Sequence, residues 1–407
     1  MGLGVAILLL ACNAVGFEIL DVTDEEWVAP GYEVVEEAVI DPLVYGEPFS
    51  DDGVPVIGVH LSFVPDGSSD EAWRVVFVFD RKVVVLTEGA DPVEIPVGLE
   101  IESCAFSPSG GFVVVHDGAE EYTGRNAARI DTATGAAEVF DSQPEGTPGP
   151  RGIEASDNFI VRCGLSFFGD DLTRIGRLDE ETRWNRGTIS PSGLFFVTEK
   201  AWRSPSLICL FGTDGNLVWE KETVPHAFAS LVGDMVFSPD ETLLAVPVHT
   251  GLEIWDTETG ETIWRDESGR NPTSGVLFIN NEALAFSCLG QITFVTGLCT
   301  GPTTETISVE TGSRYFISPY CSSPNRAVAV LLQGREGGVR NPVRHWALFS
   351  SDRSVSWQSG SSRSARNSEY GVNRPGLRQQ VAMSSDSNRL LYTVLGCVRV
   401  ISAKGSR

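Results

Sequence analysis

The sequence predicts an all-β fold made of repeated four-stranded modules, and three observations support this. A turn of the type Ser-Pro-x-Gly recurs roughly every 35 to 60 residues, most clearly at 107–110 and in the variant 238–241. An apolar run such as 243–248 follows each turn and fits a strand that is buried on both faces. Glycine (42 residues) and proline (22 residues) are frequent, as many tight turns between short strands require. A ring of such modules is a β-propeller, and the repeats predict a single β-propeller of seven to eight four-stranded blades.

The turns locate the first and second strands of each blade. Proline presets φ in such a turn, and glycine or asparagine permits the left-handed backbone conformation that follows. Four copies are clear and four are degenerate: 64–67, 107–110, 190–193 and 238–241, then 155–158, 280–282, 323–325 and 384–387. The copy at 155–158 decides the number of blades, because the count is seven if the stretch 150–186 forms no blade.

A second turn in each repeat locates the third and fourth strands. An apolar strand such as 208–211 precedes a turn such as 213–216, and a fourth strand follows. Trp184, Trp219 and Trp264 stand on fourth strands. We expect these large side chains to pack between neighbouring blades rather than to bind a ligand.

The last repeat lacks a fourth strand, since only residues 402–407 follow the strand at 398–401. The N-terminal segment offers two candidates to complete it, 32–40 and 17–22. A strand from the N-terminus would close the ring and remove the sheet edges that an open ring exposes. The predicted organisation is listed in chain order: a leader-like segment 1–12, an N-terminal segment 13–44 that supplies the closing strand, the propeller 45–403 and a tail 404–407.

Residues 3–12 form an apolar run with the length of the core of a secretory leader. The run is too short to span a bilayer, which takes about 20 residues. Its end, Leu-Leu-Ala-Cys at 9–12, resembles a bacterial lipobox, and this resemblance implies lipidation of Cys12. No Lys or Arg precedes the run, so another form of export or a hydrophobic first strand remains an alternative. Lipidation would make the protein an extracytoplasmic lipoprotein, periplasmic or at the cell surface, which meets the membrane through its lipid anchor only.

Besides Cys12 the chain has seven cysteines, and most of them stand in apolar strand-like runs, where cysteine behaves as a small buried side chain. Cys288 and Cys299 are the pair nearest in sequence and the candidate for a disulfide. No Cys-x-x-Cys pair occurs and the five histidines are scattered, so the sequence predicts no metal site. It predicts no other cofactor.

The net charge of −25 argues against nucleic acid and anionic membrane surfaces as partners. The charge is unevenly distributed along the chain. Residues 1–100 carry 20 acidic and 3 basic side chains, whereas residues 301–407 carry 6 acidic and 14 basic side chains. In a closed ring the two ends are neighbours, so an acidic sector should lie beside a basic one. The acidity also has a simpler interpretation as a solubility trait.

The repeat near 231–267 resembles those of the WD-repeat and YVTN-type propeller families. The phrase at 237–240, the Ile-Trp-Asp at 254–256 and the Thr-Gly at 259–260 stand as in those families. The Gly-x-x-x-Trp copies at 215–219 and 260–264 resemble PQQ-type repeats. The Gly-His pair of strict WD repeats is absent, so the resemblance is to a divergent member. A lipid-anchored propeller is also similar in outline to the lipoprotein scaffold of the bacterial barrel-assembly machine.

Long loops indicate where a partner would bind. Connections between second and third strands and between blades should leave one face of the ring, called the top face here. Five such connections are long: 116–125, 199–205, 333–344, 141–151 and 360–376. Extra loop length on a rigid frame often carries binding residues, although long loops are also tolerated as surface variation. The candidate binding residues are Glu120, Glu121, Tyr122, Lys200, Trp202, Arg203, His249, Arg335, Arg340 and His345.

The function that these observations favour is a non-enzymatic scaffold that presents its top face to a protein, a peptide or a glycan. No Gly-x-Ser-x-Gly elbow and no phosphate loop occurs, and no catalytic residue is predicted. The alternative is a hydrolase or lyase that acts on a polymer at an axial pocket, since propeller enzymes assemble their sites from single residues on several blades.

Overall fold

The computed structural model describes most of the propeller and three short stretches of the N-terminal segment. The described residues are 17–21, 27–28, 32–45, 56–65, 71–117, 126–142, 153–158, 160–163, 166–178, 184–200, 207–222, 235–248, 251–266, 274–288, 291–310, 315–322, 328–334, 343–349, 355–358, 362–363, 380–386, 388–394 and 397–405. Within these ranges no helix is long and apolar enough to cross a membrane. The one helical element described is the 3-10 turn Pro42–Val44.

Strands account for most of the described chain. Three precede the ring: β1 (Phe17–Asp21), β2 (Trp27–Val28) and β3 (Tyr32–Ile40). Blade 1 consists of β4 (Gly58–Pro65), β5 (Glu71–Val78), β6 (Lys82–Thr87) and β7 (Val93–Pro96), and blade 2 of β8 (Ser103–Phe106), β9 (Phe112–His116), β10 (Asn126–Asp131) and β11 (Ala137–Asp141). Blade 3 consists of β12 (Ile153–Ala155), β13 (Val161–Cys163), β14 (Ser166–Phe168) and β15 (Arg174–Arg177), and blade 4 of β16 (Trp184–Ile189), β17 (Phe195–Lys200), β18 (Leu207–Gly212) and β19 (Leu217–Glu222).

The second half of the ring has the same order of strands. Blades 5 to 7 are β20 (Val236–Phe237), β21 (Leu243–Val248), β22 (Gly251–Asp256), β23 (Thr262–Arg265); β24 (Ser274–Asn280), β25 (Ala283–Cys288), β26 (Gln291–Thr296), β27 (Thr303–Glu310); β28 (Tyr315–Ser322), β29 (Val328–Gly334), β30 (Val343–Phe349), β31 (Val355–Gln358). A short strand, β32 (Ser362–Arg363), also pairs with β30. Blade 8 contains β33 (Val381–Met383), β34 (Arg389–Val394) and β35 (Cys397–Gly405).

The described strands form eight sheets, antiparallel except where β1 pairs with β27, which confirms the predicted β-propeller. Seven sheets contain four consecutive strands, two of these sheets gain β1 or β2 as a further outer strand, and the eighth combines strands from both ends of the chain. The sheet at 153–177 is one of the seven, so the degenerate repeat does form a blade. Among the described residues, first strands of neighbouring blades lie against each other at every seam except that between blades 4 and 5, which share a buried core instead. The contact of β33 in blade 8 with β4 in blade 1 closes the ring.

Strand β3 closes the ring, as the sequence predicts. It pairs with β35 in antiparallel register from Tyr32 opposite Gly405 to Ile40 opposite Val398. Ile40 and Val398 are buried in the core cluster that blades 8 and 1 share. The closing strand therefore buries apolar surface in addition to making backbone hydrogen bonds.

The other candidate strand has a different place. β1 pairs in parallel with β27 at the outer edge of blade 6. β2 pairs with β31 at the outer edge of blade 7. Together with β3, these strands follow the outer edges of three successive blades. Each of them pairs an edge that would otherwise expose unpaired backbone groups.

A buried serine explains the first position of the repeated turn. The hydroxyl of Ser238 accepts a hydrogen bond from the amide of Leu243 at 2.9 Å, across the whole turn. The same bond is made in four other turns: Ser107 with Phe112, Ser156 with Ile160, Ser190 with Phe195 and Ser384 with Arg389. All five serines are buried. Each serine therefore satisfies an amide that the turn would otherwise leave without a partner.

The turns also bond to one another around the bottom face, which is the face opposite the top face. The amide of Ser109 donates to Asp157 Oδ1 of the next blade at 2.8 Å. The amide of Asp240 donates to Asn281 Oδ1 at 3.1 Å. Glu241 stands where other copies have glycine and has a positive φ of 62°. A non-glycine residue is disfavoured in that conformation, and its carboxylate accepts hydrogen bonds from the amide and hydroxyl of Ser192, which offset this cost.

Tryptophans pack between blades as predicted, and the structure shows this for two of the three. Trp219 of blade 4 contacts Trp255 of blade 5 edge to face, with ring centroids 5.9 Å apart. Trp264 of blade 5 contacts Phe286 of blade 6 in the same way at 6.4 Å. The side chain of Trp184 lies outside the described residues.

The predicted disulfide is wrong. Cys299 is a free, exposed cysteine, so it does not pair with Cys288. Cys163 and Cys209 are free and buried among apolar side chains, as the sequence predicts. Burial raises the pKa of the Cys163 thiol to about 12, so this thiol stays protonated at neutral pH.

The acidic and basic ends of the chain meet at the seam between blades 8 and 1, which confirms the predicted juxtaposition. Arg389 of blade 8 donates to Glu37 of β3 at 2.6 Å and to Glu88 of blade 1 at 2.9 Å. Its guanidinium also donates to the carbonyl oxygen of Glu71 at 2.8 Å and lies over the ring of Phe63. One arginine thus ties the closing strand and the first blade to the last blade.

Replacing Arg389 with methionine should destabilise this seam. The Arg389 side chain is 17% exposed but Glu88 is 40% exposed, so solvent screens part of the interaction. We expect a loss of about 2 kcal/mol in the free energy of unfolding, below the value for a fully buried pair. Arg399→Met is the matched control, because Arg399 and Glu36 form a more exposed ion pair (44% and 47%) at 3.3 Å. Denaturant titration should show a loss for the control within about 0.5 kcal/mol, and equal losses in both variants would contradict the assignment.

Candidate functional site

The strand order places the strand ends that flank three of the long connections at the top face. In each blade the repeated turn joins the first and second strands at the bottom, so the next connection begins at the top. The flanking strands of three long connections, 118–125, 201–206 and 335–342, are described in blades 2, 4 and 7. In blades 3, 5, 6 and 8 the same connection spans only 164–165, 249–250, 289–290 and 395–396. The top face is therefore uneven, with long connections on three blades.

Hydrogen bonds join the two residues that flank the long connection of blade 2. Asp117 accepts the backbone amide of Asn126 at 3.1 Å and its side-chain amide at 2.9 Å. One residue earlier, the buried His116 hydrogen-bonds to the hydroxyl of Ser142 at 3.0 Å between Nε2 and Oγ. The candidate residues of this connection, Glu120, Glu121 and Tyr122, lie outside the described residues.

Most of the other candidates also lie outside the described residues. This holds for Trp202, Arg203, His249, Arg335, Arg340 and Cys12. Lys200 is described and half-buried at the end of β17, where it pairs with Leu207 across the base of its connection. His345 lies within β30, opposite Leu332, so it belongs to a strand rather than to the loop before it. Lys200 and His345 are three blades apart, and the structure does not bring them together.

Buried charges in the described blades are paired within the fold. Arg162 and Glu154 of blade 3 form an ion pair through two hydrogen bonds of 3.0 and 3.3 Å, on the side of the blade that faces blade 4. Glu253 accepts hydrogen bonds from the indole of Trp255 and from Arg265, both at 2.8 Å. Among the described residues no group of three or more His, Cys, Asp or Glu side chains is arranged to hold a metal ion.

Three polar side chains on blade 1 are different, and the sequence analysis did not single them out. His60 and Ser62 lie on the first strand, and Arg74 lies on the second strand directly opposite Ser62. His60 Nε2, Ser62 Oγ and Arg74 Nε are buried atoms without a hydrogen-bond partner in the part of the chain that the structure describes. Strand alternation could have indicated a shared face for these residues, but their pairing register was not known from the sequence.

His60 is held neutral by its surroundings. Burial lowers the pKa of His60 to about 4, the charge of Arg74 adds to this effect and the charge of Asp157 opposes it. The imidazole stacks on Phe106 with ring centroids 5.3 Å apart. On its other side lies Gly110, where a Cβ atom would come within 2.3 Å of the imidazole Cδ2. Only glycine therefore fits at 110, because the imidazole needs that space and φ there is positive.

The stability of the protein should depend on pH through His60. The unfolded chain binds a proton at His60 below about pH 6.5, whereas the folded chain does so only below about 4. The contribution of neutral His60 to the free energy of unfolding is therefore complete above pH 6.5 and is lost as the pH falls towards 4. The expected loss is on the order of 3 kcal/mol. Denaturant titrations of the wild type and of His60→Phe over this range should differ in slope, and parallel pH profiles would contradict the assignment.

The fold defines the class of protein: the chain is a β-propeller. It is similar to the solved structure of the C-terminal WD40 domain of Sif2, with a TM-score of 0.53, 12% identity, and coverage of 91% of this chain and 98% of that domain. BamB from Moraxella catarrhalis is also similar, with a TM-score of 0.39, 11% identity, and coverage of 91% of this chain and 100% of that one.

The comparison with the WD40 domain agrees with the propeller fold and shows no activity. Matches extend to 583 solved chains, and a fold this common hosts many functions. No protein-family model matches the sequence, and no curated protein matches it. At 12% identity the likeness to the WD40 domain shows the propeller fold alone.

Proposed function

We propose that this protein is a non-enzymatic scaffold that binds a protein partner through the long connections of its top face. The observation that carries the proposal is the uneven top face. The connections that follow the second strands of blades 2, 4 and 7 are long, while those of blades 3, 5, 6 and 8 have two residues each. Binding residues are concentrated on loops that a rigid frame holds in place.

The frame below these connections is suited to such a role. The second and third strands of blades 2 and 4 are fully paired up to the base of the long connection. In blade 2 the bonds between Asp117 and Asn126 add to this pairing. A pre-formed frame limits the ordering cost of binding to the loops themselves.

Within the connections, Trp202 and Arg203 are the proposed contact anchors. Tryptophan and arginine are enriched among the residues that dominate the binding energy of protein interfaces. Glu120, Glu121, Tyr122, Arg335 and Arg340 would supply polar contacts around them. A peptide or glycan ligand would use the same surface.

Site-specific photo-crosslinking in cells tests the binding face. A photoreactive amino acid at position 202 or 122 should give defined crosslinked products. Position 194 is the matched control, because Leu194 is 63% exposed and lies on the bottom turn of the blade that carries Trp202. Crosslinks from 194 that equal those from 202, or none from 202 and 122, would contradict the proposal.

We also propose that the protein is exported and anchored by a lipid on Cys12. The apolar run at 3–12 and its Leu-Leu-Ala-Cys end support this. Mass spectrometry of the mature N-terminus tests the proposal directly. A modified cysteine as the first residue is expected, and an unmodified peptide that spans residues 11–13 in the dominant species would contradict it.

A further inference from the structure

The three unpartnered polar atoms of blade 1 lie on one face of a single hairpin. His60 and Ser62 are two residues apart on β4, so their side chains point to the same side of the sheet. Arg74 is the cross-strand partner of Ser62 on β5, at a usual Cβ separation of about 5 Å. This side faces blade 2, because His60 stacks on Phe106 there. The three groups therefore share the seam between blades 1 and 2.

The repeat provides an internal comparison for this position. In blade 3 the pair two residues before the turn serine is Glu154 opposite Arg162. In blade 1 the pair at the same place, two residues before Val64, is Ser62 opposite Arg74. Both arginines lie on second strands and face the next blade. Arg162 has a carboxylate as its cross-strand neighbour, and Arg74 has a hydroxyl.

Other blades show what this position holds when no charge is present. The equivalent pair is apolar in three blades: Ala105 with Val114 in blade 2, Val236 with Ala245 in blade 5 and Ala382 with Leu391 in blade 8. In blade 4 the pair is Thr188 with Val197. Of the six blades compared, only blades 1 and 3 have a cation at this position. Leaving a buried polar group without a partner costs about 1–3 kcal/mol, and more for a charge.

We propose that the seam between blades 1 and 2 is a binding site for a carboxylate group, held by Arg74 with Ser62 and His60. The ligand takes the place that the Glu154 carboxylate occupies beside Arg162 in blade 3. Serine in place of glutamate leaves out a side-chain segment about the size of acetate. Arginine binds carboxylates through two parallel hydrogen bonds, as Arg162 does here.

The surrounding charges are compatible with an anion at this position. Two charged groups affect the pKa of His60: Asp157 raises it and Arg74 lowers it. One oxygen of Asp157 already accepts the amide of Ser109. The acidic side chains Glu71 and Glu88 of blade 1 bond towards blade 8 instead, to Ser385 and Arg389. Neutral His60 can donate from Nε2 without a charge of its own.

A ligand can reach these groups, because His60, Ser62 and Arg74 are all partly exposed although the named atoms are buried. His60 and Ser62 lie on the first strand of their blade, which is the strand next to the axis of the ring. Arg74 lies near the bottom end of its strand. The proposed site is thus distinct from the top-face connections, and either proposal can fail without the other.

Thermal unfolding in acetate at neutral pH tests the site. The wild type should show a saturable rise in Tm with sodium acetate, measured against sodium chloride at equal ionic strength, because a ligand that binds only the folded state stabilises it. Acetamide has the same shape without the charge and should give no rise. A linear rise that acetate and chloride share would overturn the proposal.

Two variants and one control make the test specific. Arg74→Gln should abolish the acetate response. Ser62→Glu should also abolish it and raise the Tm without ligand, because it installs the carboxylate that blade 3 has. Arg399→Gln changes an exposed arginine elsewhere in blade 8 and should keep the full response. An acetate response that persists in both Arg74→Gln and Ser62→Glu would refute the site.

The imidazole of His60 supplies a readout that does not depend on folding stability. Acetate should shift the His60 ring proton resonances in an NMR titration and raise the pH at which His60 titrates, since a neighbouring anion favours the protonated form. If acetate has no effect but a glutamate-rich peptide shifts these resonances in the wild type and not in Arg74→Gln, the carboxylate comes from a protein partner. No shift with either probe would overturn the proposal.

Discussion

Deletion of residues 13–44 is expected to abolish the cooperative unfolding of the whole ring. The deletion removes β3 and leaves β35 as an unpaired edge along its entire length. It also removes Ile40 from the core that blades 8 and 1 share, and Glu37 from Arg389. We expect a broadened transition and a fall in Tm on the order of 10 °C or more, measured by calorimetry or circular dichroism.

A shorter deletion serves as the control for this result. Removal of residues 13–28 takes away β1 and β2, which pair with the outer edges of blades 6 and 7, and keeps β3. We expect a smaller fall in Tm and a transition that stays cooperative, since every blade retains four strands. A 13–44 deletion that melts like the wild type would contradict the closure by β3.

Substitution of Trp255 with alanine is expected to cost about 4 kcal/mol in the free energy of unfolding. Trp255 is fully buried at the seam between blades 4 and 5, where Trp219 contacts its edge. The ammonium group of Lys221 lies 4.1 Å from its ring centroid. Its indole nitrogen donates to Glu253, so the substitution also deprives a buried carboxylate of a donor. Denaturant titration should measure this loss.

The control for Trp255 is an exposed apolar residue on the strand that carries Trp219. Val218 is 46% exposed and lies next to Trp219 in β19. Val218→Ala should change the free energy of unfolding by about 0.5 kcal/mol or less. A loss for Trp255→Ala as small as that for Val218→Ala would show that the seam does not depend on the tryptophan.

The sequence was sufficient for the fold because the repeat encodes local chemistry. The Ser-Pro turn fixes two strands in each blade, and the buried serine hydroxyl bonds within its own turn. These interactions span a few residues and leave a readable pattern. The short last repeat predicted closure from the N-terminus, and β3 confirmed it.

Interactions between distant parts of the chain were harder to predict from the sequence. The strands 17–22 and 32–40 were equal candidates for closure, because register with a partner more than 350 residues away leaves no local pattern. The hydrogen bonds between turns, such as that from Ser109 to Asp157, depend on the spacing of neighbouring blades. The role of Arg389 could be expected only as a general attraction between an acidic and a basic sector.

The candidate sites divide in the same way. The strand ends that flank the long connections of blades 2, 4 and 7 lie at the top face, as the repeats alone indicated. The individual top-face residues, such as Trp202 and Arg203, stay predictions. The Arg74 site was missed because its evidence is a missing partner, and a missing partner can be recognised only when the cross-strand neighbours are known.

Hydrogen exchange of the backbone amides in β3 tests the central claim most directly. If this strand closes the ring, the amides of 33–40 that pair with β35 should exchange as slowly as those of the buried strand β34, because both are released only when the ring opens. Protection should be lost together in both strands as denaturant is added. Exchange of 33–40 at the rate of an unstructured peptide, with β34 and β35 still protected, would contradict a propeller closed by its N-terminal strand.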